Sequence, residues 1–274
     1  MTRPNALVTV LDTGYCTARE GLIATGTGWG EARCHAPAFL IQQTPHGVVL
    51  FDTGYAPRLL DAFERWPERL YKYATPTTVG SPVVDHLRGA GIAPSDVTTI
   101  IVSHLHADHV AGLRDFPEAR FVISQPALEL QRTVRGVDAV RRGVIQALFP
   151  PDFADRARVI TAFADEPLPA LGATHDLFGD GLIRLVPLPG HARGQIGALV
   201  RSDRDEVLLC ADGAWSTRAF QELRPPHWIT GAMQDSMPAL RETLHRLKQF
   251  AAVRPDVAIL PTHCPRTMRW SHGA

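Results

Sequence analysis

The chain has 274 residues, 45% of them hydrophobic and 20% charged, with 28 lysines plus arginines against 28 aspartates plus glutamates. Such a chain can bury a sizeable core, and its zero formal net charge argues against general nucleic-acid backbone binding. No apolar run is long enough to span a membrane.

The opening segment MTRPNALVTVLDTG has neither a long apolar core nor a cleavage region, so a secretory leader is not expected. The four cysteines, Cys16, Cys34, Cys210 and Cys264, are far apart in sequence and form no CxxC pair. Both features fit a reducing, cytoplasmic setting.

In chain order, strands are expected at 6–11 (ALVTVL), 38–43 (AFLIQQ) and 47–52 (GVVLFD), the last two joined through TPHG as a hairpin. A helical region over about 57–73 is expected to divide at Pro67, followed by a proline-rich loop, YATPTTVGSP. Ser81 as N-cap and Pro82 as first helical residue then open the helix PVVDHLRGAG. The strand VTTIIV leads into SHLHADHVAG, and ARFVIS at 119–124 is the next strand. Residues 126–149 are expected to be irregularly helical, and the weakly periodic stretch from Pro150 to Asp176 a long connection. Three further strands are expected at 182–187, 196–201 and 206–211. In MPALRETLHRLKQFA, Leu240, Leu244, Leu247 and Phe250 recur at helical spacing and predict a core-facing stripe. DVAILPTHC ends the series with a strand running into a histidine.

Strands interleaved with helices favour a layered α/β architecture. The expectation is one domain over 1–274, with a substrate-pocket insertion around 57–80 and a variable connection around 125–180.

The chemistry concentrates in SHLHADHVAG, where His104, His106, Asp108 and His109 follow an apolar strand. Histidines two apart on an extended strand end point the same way, and a turn can bring Asp108 and His109 back toward them. Neutral imidazoles and carboxylates are zinc ligands, and grouping them makes their burial tolerable. Further ligands are expected at other strand ends: His191 in PLPGHARG, Asp212 in LLCADGAW and His263 in ILPTHC. Gly190 and Gly194 are expected to turn the chain around His191, and Gly213 beside Asp212.

The ordered series His104, His106, Asp108, His109, His191, Asp212 and His263, with LFDTG at 50–54 and LPGHARGQ at 188–195, resembles the metallo-beta-lactamase superfamily over about residues 6–264. The resemblance implies an αββα sandwich, two mixed sheets packed together with helices outside. It implies one metal on His104, His106 and His191, another on Asp108, His109 and His263, and Asp212 bridging both. Two divalent ions, zinc by expectation with iron, manganese or cobalt open, would share a hydroxide and hydrolyse a substrate without an organic cofactor. Asp52 is the candidate to support a metal-bound histidine through a hydrogen bond.

Within the superfamily the chain is most similar to the N-acyl-homoserine-lactone lactonases. That implies a small-molecule partner, a lactone or related ester with an apolar portion, opened by a metal-dependent hydrolase. In that group a tyrosine three positions after the bridging aspartate hydrogen-bonds the lactone; here that position is Trp215 in DGAW, a pocket candidate with an N–H and no phenol. Phe63, Trp66, Tyr71 and Tyr73 are the candidate pocket wall, and Tyr71 or Tyr73 the candidate substitute phenol.

Several alternatives have distinct marks. A glutathione-thioester hydrolase normally carries a C-terminal helical domain, whereas only 11 residues follow His263. A persulfide dioxygenase would hold a single iron, so metal count and identity separate it. Flavodiiron oxidoreductases usually have glutamate where His106 stands, and an RNA-processing nuclease would carry an accessory nucleic-acid domain. A noncatalytic metal-stabilised binding protein would saturate its metal with protein ligands. A homodimer stays open, with no segment identifying its interface.

Overall fold

The computed structural model describes residues 5–42, 44–202 and 205–270, and all statements below concern these residues. Residue 43, the last of the strand expected at 38–43, lies outside them. One sheet is built from β1 (Leu7–Arg19), β2 (Glu31–Gln42), β3 (Val48–Phe51), β4 (Thr77–Val79), β5 (Val97–Ile101), β6 (Arg120–Ser124) and β7 (Ala157–Ile160). Its order is β4-β1-β2-β3-β5-β6-β7. The other contains β8 (Asp165–Leu168), β9 (Gly172–Asp176), β10 (Ile183–Pro187), β11 (Ile196–Arg201), β12 (Glu206–Ala211) and β13 (Ala258–Pro261), in the order β13-β12-β11-β10-β9-β8. Both are mixed: β3, β5, β6 and β7 run parallel, as do β12 and β13, and the remaining pairs are antiparallel.

Strand alternation sorts the side chains into layers. Phe39, Ile41, Val49, Phe51, Ile101 and Val122 face the second sheet and pack on Leu185, Ala198, Val200, Val207, Leu209 and Leu260. Their neighbours Leu40, Leu50, Ile100, Phe121 and Ile123 point the other way, into a core shared with the helices of the first half. These helices are α2 (Arg58–Ala62), α3 (Arg69–Ala74), α4 (Val83–Gly89), α5 (Ala107–Val110), α6 (Gln125–Thr133) and α7 (Gly136–Arg141), after a short α1 (Glu20–Ile23) on the β1–β2 connection. On the far side, Val186, Leu199 and Leu208 meet Leu244, Leu247 and Phe250 of α9 (Met237–Val253) and Phe220 of α8 (Thr217–Gln221). The layering is therefore helix, sheet, sheet, helix, as the resemblance implied. The stripe on α9 is buried as its spacing predicts, and Ser236 caps that helix by accepting from Ala239 N–H at 3.3 Å.

Four expectations need correction. The 150–176 stretch is not a plain connection: it contains β7, β8 and β9. These strands are short, β8 is a largely exposed edge strand and its neighbour β9 buries only one of its five residues, so their sequences lack the apolar alternation of a buried strand. YATPTTVGSP includes β4, an edge strand paired with β1. The helix expected from Pro82 begins at Val83, with Pro82 in the cap position and no side-chain cap bond from Ser81. At Asp212 the left-handed residue is Ala211, at φ 46°, not Gly213, because the β12–β13 pairing slips between Leu209 and Ala211.

Leu247 is fully buried between α9 and the second sheet. Leu247→Ala is expected to lower unfolding free energy by about 2–5 kcal/mol, read by chemical denaturation.

Candidate metal centre

The polar side chains gather where strand ends from both sheets meet. Asp52 follows β3, the segment from Ser103 to His109 follows β5, and His191, Asp212 and His263 follow β10, β12 and β13. The two sheets join there through Ile196 N–H, which donates to the Ser103 carbonyl at 3.0 Å. His106 caps α5, so the first turn of that helix carries Asp108 and His109 back beside the extended His104 and His106. Thr53 holds the turn: its N–H and hydroxyl both donate to the His109 carbonyl, at 2.8 and 3.0 Å.

All seven side chains are buried, and they form two adjacent groups. His104, His106, His191 and Asp212 make one, and Asp108, His109 and His263 the other; within each, one donor atom per residue lies within 4.8 Å of the rest. Asp212 spans the groups. Its Oδ2 lies 3.2 Å from His191 Nε2 and 2.9 Å from His263 Nε2, and its Oδ1 3.5 Å from His109 Nε2.

Four histidines are oriented by bonds to Nδ1. His109 Nδ1 donates to Asp52 at 2.7 Å, His191 Nδ1 to Gln234 Oε1 at 2.8 Å, and His263 Nδ1 to the His35 carbonyl at 2.7 Å. His104 Nδ1 lies 3.0 Å from Ser103 Oγ, which donates to Asp52 Oδ2 at 2.6 Å. Each bond engages Nδ1 and turns Nε2 inward, the orientation a metal ligand needs once Nε2 is free of its proton. His106 is turned the other way, with Nδ1 facing His191 Nε2 at 2.9 Å. Gly143, at φ 71°, lies behind its ring; a Cβ there would sit 2.5 Å from His106 Cδ2. Gly190 plays a similar part at the next loop, where a Cβ would meet the Leu240 backbone nitrogen at 2.1 Å.

The donor set fits divalent cations. His104 Nε2, His109 Nε2 and Asp212 Oδ1 are buried without a hydrogen-bond partner, a state that costs about 1–3 kcal/mol per group unless a cation satisfies it. Electrostatics divide the cluster. Burial, then the neighbouring histidines, push His104 and His106 well below the ordinary histidine value. Burial acts the same way on His109 and His263, but Asp108, Asp52 and Asp212 outweigh it at His109, and Asp212 with Asp108 raises His263 to about 9. Burial opposes ionisation of Asp212, yet His263, His191 and His109 hold its carboxyl well below the usual range.

A cleft of about 710 Å³ opens over this cluster. Leu22, Ile23, Tyr71, Ala74 and Met233 give it an apolar wall, and Asp108, Asp212 and His263 lie at its floor. Trp215 also lines it, with its ring edge-on to His191 and His263 at 5.6 and 5.9 Å and its Nε1 buried without a partner. Of the four aromatics expected on the wall, only Tyr71 reaches it. Phe63 is on the buried face of the α2 segment and stacks on Tyr71 at 6.0 Å, inside the core. Trp66 and Tyr73 are 72% and 75% exposed and do not line the cleft. The break at Pro67 leaves two short helices, so a single face of the 57–74 stretch cannot present all four.

The wall also draws on β1 and α1, in the segment before LFDTG that the resemblance placed near the pocket, and on the 3-10 turn Trp228–Met233, for which no pocket role was expected. Gln234, Ser103 and Gly143 were likewise missed. Gln234 had no local signal, whereas Ser103 stands directly before the histidine series.

The profile of the metallo-beta-lactamase superfamily matches residues 32–263. The chain belongs to that superfamily. Among its relatives is the N-acyl homoserine lactonase AttM of Rhizobium radiobacter, 26% identical over 238 residues, covering 84% of this chain and 81% of AttM. In fold, this superfamily member is similar to an N-acyl homoserine lactone hydrolase solved with N-hexanoyl-L-homoserine at its catalytic metal centre. The TM-score is 0.74 at 17% identity, over 98% of this chain and 96% of the other. It is also similar to AidC, a dizinc quorum-quenching lactonase, with TM-score 0.68 at 18% identity over 97% and 90% of the two chains.

Gly143→Ala is expected to displace the His106 ring and weaken divalent-cation affinity by roughly 10- to 100-fold, as loss of a ligand's support commonly does. Competition with a chromogenic chelator reads the change, with circular dichroism confirming the fold.

Proposed function

We propose that the chain is a two-metal hydrolase that opens a lactone, or cleaves a related carboxylic ester, whose apolar portion lies in the cleft. The observation that carries this reading is the pair of buried ligand groups spanned by Asp212 at the floor of an apolar-walled cleft. The similarity to named lactonases supports the same reaction class.

His104, His106 and His191 would hold one ion, Asp108, His109 and His263 the other, and Asp212 both. Zinc suits the imidazole–carboxylate set, which also admits iron, manganese or cobalt. Such ions lower the proton affinity of water and polarise an ester carbonyl.

The rest is the work of the chain's own side chains. Asp52, Ser103, Gln234 and the His35 carbonyl fix the imidazoles before substrate arrives, so little reorganisation accompanies reaction. Leu22, Ile23, Tyr71 and Met233 take the apolar portion from water and set the ester carbonyl over the floor. Trp215 Nε1–H, buried and unpartnered, is available to donate to the carbonyl oxygen as negative charge develops on it. That donor differs from the tyrosine of the lactonases in having no proton to transfer at neutral pH.

The test of the metal centre is uptake by ion-free protein. Two equivalents of zinc per chain are expected, falling in folded His106→Ala or Asp212→Asn along with hydrolysis; full activity and unchanged metal content in either would refute the assignment. Because the neighbouring carboxylates raise His263 to about 9, it carries a second proton near pH 7 in the ion-free centre, and uptake must displace it; the same carboxylates raise His109. Zinc loading should therefore release protons, and affinity should rise with pH and level off only above about 9, where His263 becomes neutral. Titration in buffers of different ionisation enthalpy measures this.

For Trp215, the expected result is a fall in kcat of about 10- to 100-fold in Trp215→Phe, the worth of one hydrogen bond to a charged group. Trp215→Tyr, which keeps a donor, should lose less. Equal losses in the two variants would assign the residue to packing alone.

A further inference from the structure

Two of the four cysteines, distant in sequence, face each other across the cleft wall. Cys16 of β1 is directly opposed to Cys34 of β2 in the antiparallel register. Opposed residues share a sheet face, and both line the cleft beside Tyr55 and Tyr71. Their Cα atoms belong to a pair type separated by about 4.5–5.5 Å, inside the roughly 4.4–6.8 Å range of disulfides. Both are free thiols. Cys34 is buried and Cys16 only partly so, which gives the pair one approachable member and one sheltered member.

We propose that Cys16 and Cys34 form a redox modification site in the wall of the cleft, closing to a cross-strand disulfide on reaction with a low-molecular-weight disulfide. The chemistry is two exchanges. Cys16, as thiolate, attacks one sulfur of the small disulfide, and the other sulfur leaves as a thiolate. Cys34, losing its proton to solvent, then attacks Cys16 Sγ and expels the second small thiolate. Two protein thiols are oxidised and one small disulfide is reduced to two thiols. Bonding reshapes the wall, because it draws both sulfurs toward each other to about 2.05 Å.

The local environment agrees with that order of attack. A hydrogen bond from Cys34 holds the Cys16 thiol below its ordinary value against burial, while the same contact and burial raise Cys34. A lowered thiol is the better attacker near neutral pH. The other two cysteines are placed differently. Cys210 is fully buried behind the second sheet, and Cys264 is buried against Thr217 Oγ at 3.4 Å.

The test is to equilibrate the zinc-loaded protein in mixtures of reduced and oxidised glutathione, quench with acid, and map disulfides by peptide mass. The expected result is a Cys16–Cys34 crosslink, with the thiol count falling from four to two and restored by reduced glutathione. Cys34→Ser should stop at the first exchange and carry one glutathione on Cys16, whereas Cys16→Ser should stay unmodified. Four intact thiols in wholly oxidised glutathione, or a crosslink through Cys210 or Cys264, would overturn the proposal. The wild-type map decides this even where a serine variant fails to fold. Mass reads the crosslink without hydrolysis, so its failure is distinct from failure of the hydrolase reading. With an aryl ester of an alkyl acid, the oxidised chain should show a severalfold higher KM and a retained kcat. A crosslinked chain with unchanged KM would overturn the coupling of the pair to the cleft.

Discussion

The burial of Asp212 among histidines constrains the whole arrangement. A carboxylate withdrawn from water is tolerated only with compensating charge and hydrogen bonds. Here His191 and His263 approach one of its oxygens and His109 the other. Those histidines need their own partners, and Asp52, Gln234 and the His35 carbonyl provide them. The network thus draws on β2, β3, β5, β10, β12 and β13 or the segments that follow them, and neither sheet can shift alone without leaving a buried polar atom unsatisfied.

The two-sheet packing is what brings those strand ends together. Alternation sends Phe39, Phe51, Ile101 and Val122 inward against Leu185, Val200 and Leu209, which fixes how the sheets face each other. Two of the left-handed non-glycine residues mark the exits: Asp52 and Ala211, at φ 59° and 46°, sit just where the chain leaves β3 and β12. Such conformations cost about 1–3 kcal/mol and persist where the surroundings determine them. At Asp52 the bonds to Ser103 and His109 do so.

Above the polar floor the cleft is apolar, and its wall is assembled from elements remote in sequence. Trp215 stands between the two, its ring against His191 and His263 and its N–H unpaired. Under the proposed function, the floor and Trp215 would meet the substrate's carbonyl and the wall its apolar body. Cys16 and Cys34 sit in the same wall, so the state of their sulfurs bears on its shape.

The layered α/β class and the ligand types were legible in the sequence because each rests on local order. Period-two apolar runs mark strands, the α9 stripe marks a buried helix face, and the histidine series is dense within a few residues of one strand end. His191, Asp212 and His263 were legible because each ends an apolar strand run. Short, little-buried strands such as β8 and β9 left no such mark, since burial creates the pattern and each buries a single residue. The cleft wall was legible only in part, at Tyr71 and Trp215. Phe63, Trp66, Tyr71 and Tyr73 are near neighbours in sequence, yet the helix break sends one to the wall, one to the core and two to solvent. Gln234 behind His191, Gly143 behind His106 and Cys34 opposite Cys16 are likewise contacts between distant segments. Residue types and local periodicity determined which atoms were available to a metal. Only the packing of the two sheets and their connecting loops decided which groups face one another, because those contacts depend on strand register and chain crossing rather than on neighbouring residues.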